Sequence, residues 1–326
     1  MKAVLCKSFD GPGALTVEET DPGPLGAKDI RMRVYTAAVG FADILMVEGK
    51  YQLKPPLPFT PGLEAAGEIT EVGPEVTLFR VGDRAAFGAL YGAFAEEVVV
   101  QEESAYKLPD GVDYATGSAY RSSHGTSYHA LEHRAHLQPG ETLLVHGAAG
   151  GVGLAAVELG KLMGARVIGC VGSDDKLEIV RRYGADHVLN YTGGFKEQIK
   201  DLTGGKGADV IYDPVGGDVF DESLRCIAPG GRLLVIGFAS GRIPSAPANL
   251  ILLKNCSVVG VVYGNWRRAN PEAGRAMNEV LLNWCAEGKL KPHVSMSFPL
   301  GEVQAAMEAL SSRRATGKVL LQVRPA

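Results

Sequence analysis

The chain is predicted to be an α/β protein in which a β-rich domain accompanies a doubly wound domain built on a parallel six-stranded sheet. Three observations predict it. Residues 1 to about 120 carry short alternating runs ("KAVLCKSF", "DIRMRVYTAAV", "AAGEITEVG", "AEEVVVQ") punctuated by "DGPG", "DPGP" and "KPPLPFTPG". Such Gly/Pro-broken runs suit a small barrel-like β domain. From about residue 125, apolar runs alternate with helical patterns, the texture of right-handed βαβ crossovers in a parallel sheet. The length, 326 residues, fits two domains.

In order, "ETLLVHG" reads as a buried strand over Glu141–Gly147, and a helix follows over Gly151–Gly164. "RVIGCVG", "HVLNY", "ADVIYDPVGG", "GRLLVIGFASG" and "SVVGVVYG" supply five more strands with helices between them, enough for two mononucleotide-binding halves. After about residue 265, "PEAGRAMNEVLLNWCAEGKL" is an amphipathic helix, and "HVSMSFPLGEVQAAMEALSSRRATGKVLLQV" returns to strand–helix–strand.

Composition narrows the function. Hydrophobic residues make up 46% and charged ones 21%, ordinary for a soluble globular protein. A net charge of −4, from 33 basic and 37 acidic residues, offers nothing to nucleic acid or an anionic membrane. "MKAVLCKSFD" lacks a signal core, and the longest apolar run, "ILLKNCSVVGVVY", is interrupted by Lys254 and Asn255, so no membrane span is expected. Five cysteines, never in C-x-x-C spacing, argue for free thiols in a cytoplasmic protein rather than for disulfides or structural zinc.

The loop "AAGGVG" at 148–153 lies between the first strand of the doubly wound domain and its helix. That context identifies a dinucleotide site. Ala149, Gly150, Gly151, Val152 and Gly153 form the candidate phosphate cradle: Gly150 admits backbone close to a pyrophosphate, and Gly153 lets the helix pack on the strand. Ala148 stands where the first glycine of G-x-G-x-x-G is usual, tolerable if its φ stays negative.

About twenty residues on, an NAD site carries Asp or Glu at the strand tip. Here the chain reads "CVGSDDK". Ser173 can donate to a 2′-phosphate and Lys176 can neutralise it, which favours NADPH. Ser173 also reads as a helix N-cap with Asp174 and Asp175 on the dipole, and Asp174 leaves NAD open.

At this point the chain resembles the medium-chain dehydrogenase/reductases, specifically the zinc-free, zeta-crystallin-like quinone oxidoreductases. The resemblance spans the chain through "FADILMVEGKYQ", "PFTPGLEAAGEITEVG", "VGDRAAFG", "GTSYHAL", "YGADHVLNY", "YDPVGG" and "IGFASG". It implies a GroES-like catalytic domain over 1–124 and 265–326, a Rossmann NADP-binding domain over 125–264, and a substrate cleft between them. It further implies a homodimer or homotetramer, with edge-to-edge pairing that would place "NCSVVGVVYG" at an interface.

In the zinc-dependent relatives a Cys and a His stand where this chain has Gly40 and Leu63, so two of three ligands are missing and no metal is expected. His129-Ala130-Leu131-Glu132-His133 spells H-x-x-E-H with His136 beyond; a polar helix face with histidines is the commoner meaning. Asp43 and Glu64 read as ion-pair or hydrogen-bond partners.

Without a Lewis acid, the acceptor must be electrophilic already: a quinone or a conjugated carbonyl. The resemblance assigns Tyr51 as proton donor or orienting group and as a cofactor contact; a plain cleft-wall tyrosine is the alternative. By the same matching, Tyr191, Ile236, Gly237, Phe238, Ala239, Val262, Tyr263 and Lys318 contact the cofactor, with packing as the alternative for Ile236 and Val262. His124 reads as a proton donor or, more simply, as a packed histidine. The leading function is an NADPH-dependent quinone oxidoreductase. Reduction of activated C=C bonds in an enone or enoyl thioester, and non-catalytic NADPH binding, are the alternatives.

Overall fold

The computed structural model describes residues 1–325. The chain divides into two compact units, one made of Met1–Ser122 with the chain from Arg275 onward, the other of Ser123–Gly274.

The first unit is built on a seven-stranded sheet. Its long strand Asp29–Val39 pairs antiparallel with Glu64–Val72, Glu97–Gln101 and Lys318–Gln322. Val294–Pro299 runs parallel to Lys318–Gln322 at one end, and Arg84–Gly88 and Ala105–Lys107 extend the other. Alternation places Ile30, Met32 and Val34 in the core, the period-two pattern of strands. Gly67 lies where the Asp29–Val39 register shifts; a Cβ there would stand 2.0 Å from the Arg33 carbonyl oxygen, so close approach requires glycine. Helices Phe41–Val47 and Val303–Ser311 add Ile44, Met46, Val303, Ala306 and Met307 to this core.

The second unit holds six parallel strands: β1 (Thr142–Val145), β2 (Arg166–Val171), β3 (His187–Asn190), β4 (Ala208–Asp213), β5 (Ile227–Val235) and β6 (Ser257–Gly260). Their order across the sheet is 3-2-1-4-5-6, that of a dinucleotide-binding Rossmann sheet. β1, β2 and β4 are buried along almost their whole length, as a sheet covered on both faces demands. The α/β class, the β-rich domain and the six-stranded parallel sheet are therefore as the sequence predicts. Among the described residues, no helix is long and apolar enough to cross a membrane.

Candidate functional site

In the second unit, the segments singled out by sequence gather at the carboxyl ends of the strands. β1 ends at Val145, and the loop turns into helix Gly151–Leu162. The left-handed residue of that turn is Gly147, with φ 55°. Ala148 is not among the residues of positive φ, so its methyl group brings no strain. It is fully buried, 3.2 Å from where a Cβ on Gly169 of β2 would stand. A Cβ on Gly153 would lie 2.2 Å from the Gly147 carbonyl oxygen and 2.8 Å from Ala148 Cα, which makes glycine obligatory there. Helix Gly151–Leu162 begins at an N-cap glycine, Gly150, with no side-chain cap. Its first N–H groups are the orphan donors of any helix start.

At the end of β2, Gly172 lies under the Tyr191 hydroxyl, 3.0 Å from the position a Cβ would take. Ser173 has extended backbone and makes no side-chain cap. Its hydroxyl instead donates to the Asp175 carboxylate, which holds that carboxyl below its usual range. Asp174 is engaged too, accepting from Asn190 Nδ2 at 2.7 Å. Lys176 closes the short turn with its N–H on the Ser173 carbonyl at 3.2 Å. Ile236 and Ala239 follow β5, their N–H groups donating to the Asp213 and Pro214 carbonyls at 3.0 Å, while Phe238 is exposed. Val262 is 61% exposed, so it is not strand core. Tyr263 is buried, its ring over Gly125, where a Cβ would meet Cζ at 2.8 Å.

Tyr51 and Lys318 belong to the first unit. Tyr51 packs half-buried against its core, with its N–H on the Leu45 carbonyl at 3.0 Å. Lys318 is buried, and its ammonium donates to Glu64 Oε1 at 2.7 Å and Ser122 Oγ at 3.2 Å. Glu64 also accepts from the Ser122 N–H at 2.7 Å. Asp43 Oδ2 accepts from the Gly40 N–H at 2.8 Å, and burial pushes its carboxyl up to about 7. Asp43 and Glu64 are thus the structural hydrogen-bond and ion-pair partners expected of them. A Cβ on Gly40 would meet Asp43 Oδ2 at 3.3 Å, and Leu63 packs as an apolar side chain.

Several polar links of the second unit were not read from sequence. Ser127 Oγ lies 2.9 Å from the Val152 carbonyl oxygen and 2.8 Å from the Tyr212 hydroxyl. His124 Nε2 lies 3.0 Å from Glu158 Oε2, the histidine buried and the glutamate nearly so, so His124 is a packed, hydrogen-bonded histidine. The spacing of 124 and 127 signals only that they share one helix face, not what that face meets. His129 and His133 bring their Nδ1 atoms to 3.2 Å; His129 stacks on Trp266 and His133 packs tilted against it, with ring centroids 4.6 and 4.7 Å away. Burial pushes His129 down to about 4. Among the described residues, no three or more His, Cys, Asp or Glu side chains are grouped to hold a metal.

Two family models match the chain: an alcohol dehydrogenase GroES-like domain over residues 26–110 and a zinc-binding dehydrogenase over 151–279. The chain is 40% identical to quinone oxidoreductase-like protein 2 of Bos taurus, covering 99% of this chain and 93% of that protein. It belongs to the zinc-free quinone oxidoreductase family of medium-chain dehydrogenase/reductases. Family resemblance extends to the quinone oxidoreductase of Pseudomonas aeruginosa, 35% identical over 98% of this chain and 99% of that protein. The crystal structure of Escherichia coli quinone oxidoreductase complexed with NADPH superposes with a TM-score of 0.92 at 29% identity, covering 99% of this chain and 100% of that one. As a family member the protein is an oxidoreductase with GroES-like and Rossmann units.

Proposed function

We propose that the protein is an NADPH-dependent quinone oxidoreductase. The observation that carries this reading is the uncapped start of helix Gly151–Leu162, which follows β1 and in which Gly153, packed against the turn at Gly147, tolerates no side chain. Backbone N–H groups and the positive end of the helix dipole there suit a pyrophosphate. The NADPH-bound Escherichia coli relative and the quinone oxidoreductases that this chain resembles support the choice of cofactor and acceptor.

Bound there, NADPH supplies a hydride. The chain's own residues do the rest. Gly150–Gly153 hold the pyrophosphate by main-chain donors. Ser173 and Lys176 take the 2′-phosphate: the Ser173 hydroxyl turns from Asp175 to the phosphate, and Asn190 keeps the Asp174 carboxylate engaged. Tyr191 contacts the adenosine phosphate, and Ile236–Ala239 with Val262 and Tyr263 contact the cofactor from the ends of β5 and β6. Tyr51, whose phenol O–H can donate, is the group we assign to protonate or orient the developing quinol oxygen. The acceptor is a small electrophile, a quinone or conjugated carbonyl, which delocalises incoming charge without a metal.

The assembly we propose is a homodimer through β6. This strand ends the sheet order, so among the described residues one of its edges has no strand beside it. Leu252 and Leu253 of the preceding helix are 79% and 77% exposed, an apolar flank that a second copy would cover. Five cysteines without a disulfide support a cytosolic location.

Nucleotide oxidation followed with 1,4-benzoquinone, crotonyl-CoA and an alkenal tests the reading. Turnover of benzoquinone with NADPH, faster than with NADH, is expected. No calorimetric affinity for either nucleotide overturns it, and turnover confined to crotonyl-CoA reassigns the acceptor.

A further inference from the structure

We infer that Ser127, backed by Tyr212, is a positioning residue for the dinucleotide's pyrophosphate; the inference rests on the nucleotide reading above. Ser127 Oγ stands 2.9 Å from the Val152 carbonyl oxygen and 2.8 Å from the Tyr212 hydroxyl. A carbonyl only accepts, so the serine hydrogen goes to Val152. The tyrosine hydroxyl must then donate to Ser127 Oγ. Both side chains are wholly buried, where each lost partner is expensive.

The Val152 carbonyl and the Gly153 N–H are the two ends of one planar trans peptide, pointing in opposite directions. Holding the carbonyl therefore aims the N–H. Gly153 N–H belongs to the first turn of helix Gly151–Leu162 and lacks an intrahelical acceptor, so its direction matters to an anion at the helix start. Tyr212 carries the restraint back to the middle of the sheet: it lies on β4 opposite Val145, the last residue of β1. The strand paired with β1 and the helix that leaves the glycine turn are thus tied to one hydroxyl pair.

A second tie lies further along helix Arg121–Tyr128, which carries Ser127, and helix Gly151–Leu162. His124 Nε2 meets Glu158 Oε2 at 3.0 Å. From Ser127 to His124 the chain runs backward, and from Val152 to Glu158 forward, so the paired segments are antiparallel and fastened twice. The second tie keeps helix Gly151–Leu162 from pivoting about the first.

The pyrophosphate is common to NADPH and NADH, whereas the 2′-phosphate is not. Ser127→Ala is therefore expected to raise the dissociation constants of both nucleotides by the same factor, about three- to tenfold for one neutral hydrogen bond. It should leave their ratio and kcat at saturating nucleotide unchanged. Tyr212→Phe keeps the Ser127–Val152 bond but frees the hydroxyl to rotate, with a loss of about two- to threefold of the same kind. The measurement is calorimetric titration of each full-length variant with NADPH and with NADH, alongside steady-state kinetics with benzoquinone. Tyr212→Phe decides the matter should Ser127→Ala fail to fold. Wild-type affinity in the variants, a change in the NADPH/NADH ratio, or a fall in kcat at unchanged KM overturns the inference. A wild-type chain that binds neither nucleotide overturns the reading of the preceding subsection and this one with it.

Discussion

Lys318 and Glu64 are 254 residues apart in sequence and 2.7 Å apart in the β-rich unit, with side chains 8% and 2% exposed. Removing one member of such a pair leaves the other charge buried. Lys318→Met is expected to cost about 3–5 kcal/mol of unfolding free energy, measured by urea denaturation. Glu64→Gln combined with Lys318→Met should cost less than either alone. A loss of NADPH affinity at unchanged stability would instead assign the ammonium to the cofactor phosphates.

The buried carboxyl of Asp43 makes stability depend on pH. Burial raises it from 3.8 to about 7, so between these values the native state holds a proton that the unfolded chain has released. Stability therefore falls as pH rises through that window and levels off above it. Asp43→Asn, whose amide oxygen still accepts from the Gly40 N–H, should flatten the melting temperature between pH 5 and 8 and melt above wild type at pH 8. Parallel curves for the two proteins contradict this.

Two glycines of one turn should respond differently to the same methyl group. Gly153→Ala drives a Cβ to within 2.2 Å of the Gly147 carbonyl oxygen, while Gly150→Ala brings one only to 3.3 Å. The first should destabilise by about 1–3 kcal/mol and abolish nucleotide binding. The second should melt near wild type and lose affinity alone. Thermal unfolding with and without NADPH separates them.

Lys176→Ala should raise the KM for NADPH about tenfold, the worth of one charge-assisted contact, and leave that for NADH almost unchanged. Asn190→Ala releases the Asp174 carboxylate held at 2.7 Å and should move preference toward NADH. Steady-state kinetics with both nucleotides check the pair; equal effects on NADPH and NADH contradict the assignment.

Leu253→Arg puts a charge on the apolar flank of β6. Sedimentation velocity should show wild-type dimers and variant monomers with similar melting temperatures. A wild-type monomer at micromolar concentration removes the dimer.

The parallel sheet was legible because its strands are unbroken apolar runs closed by glycine turns, and the carboxyl-end gathering of residues 149–153, 173–176, 191, 236–239 and 262–263 follows from that topology. Ala148 was legible as a departure but not its remedy: the left-handed residue is Gly147, and room for the methyl group comes from Gly169 on the next strand. Pairings that depend on tertiary approach were out of reach. Nothing local in "GTSYHAL" says that Ser127 meets Val152 and Tyr212, or that His129 and His133 share Trp266. The capping role read for Ser173 failed because its hydroxyl found a carboxylate two residues on.

Strand Lys318–Gln322 is flanked on both sides within its sheet, by Val294–Pro299 and by Asp29–Val39. During synthesis the seven-stranded sheet therefore waits for one of its interior strands until almost the whole described chain has left the ribosome, whereas the six-stranded parallel sheet has all its strands by Gly260. The nucleotide-binding half is thus free to mature first, and a nascent chain stalled before residue 318 carries a finished cofactor fold beside an open sheet edge.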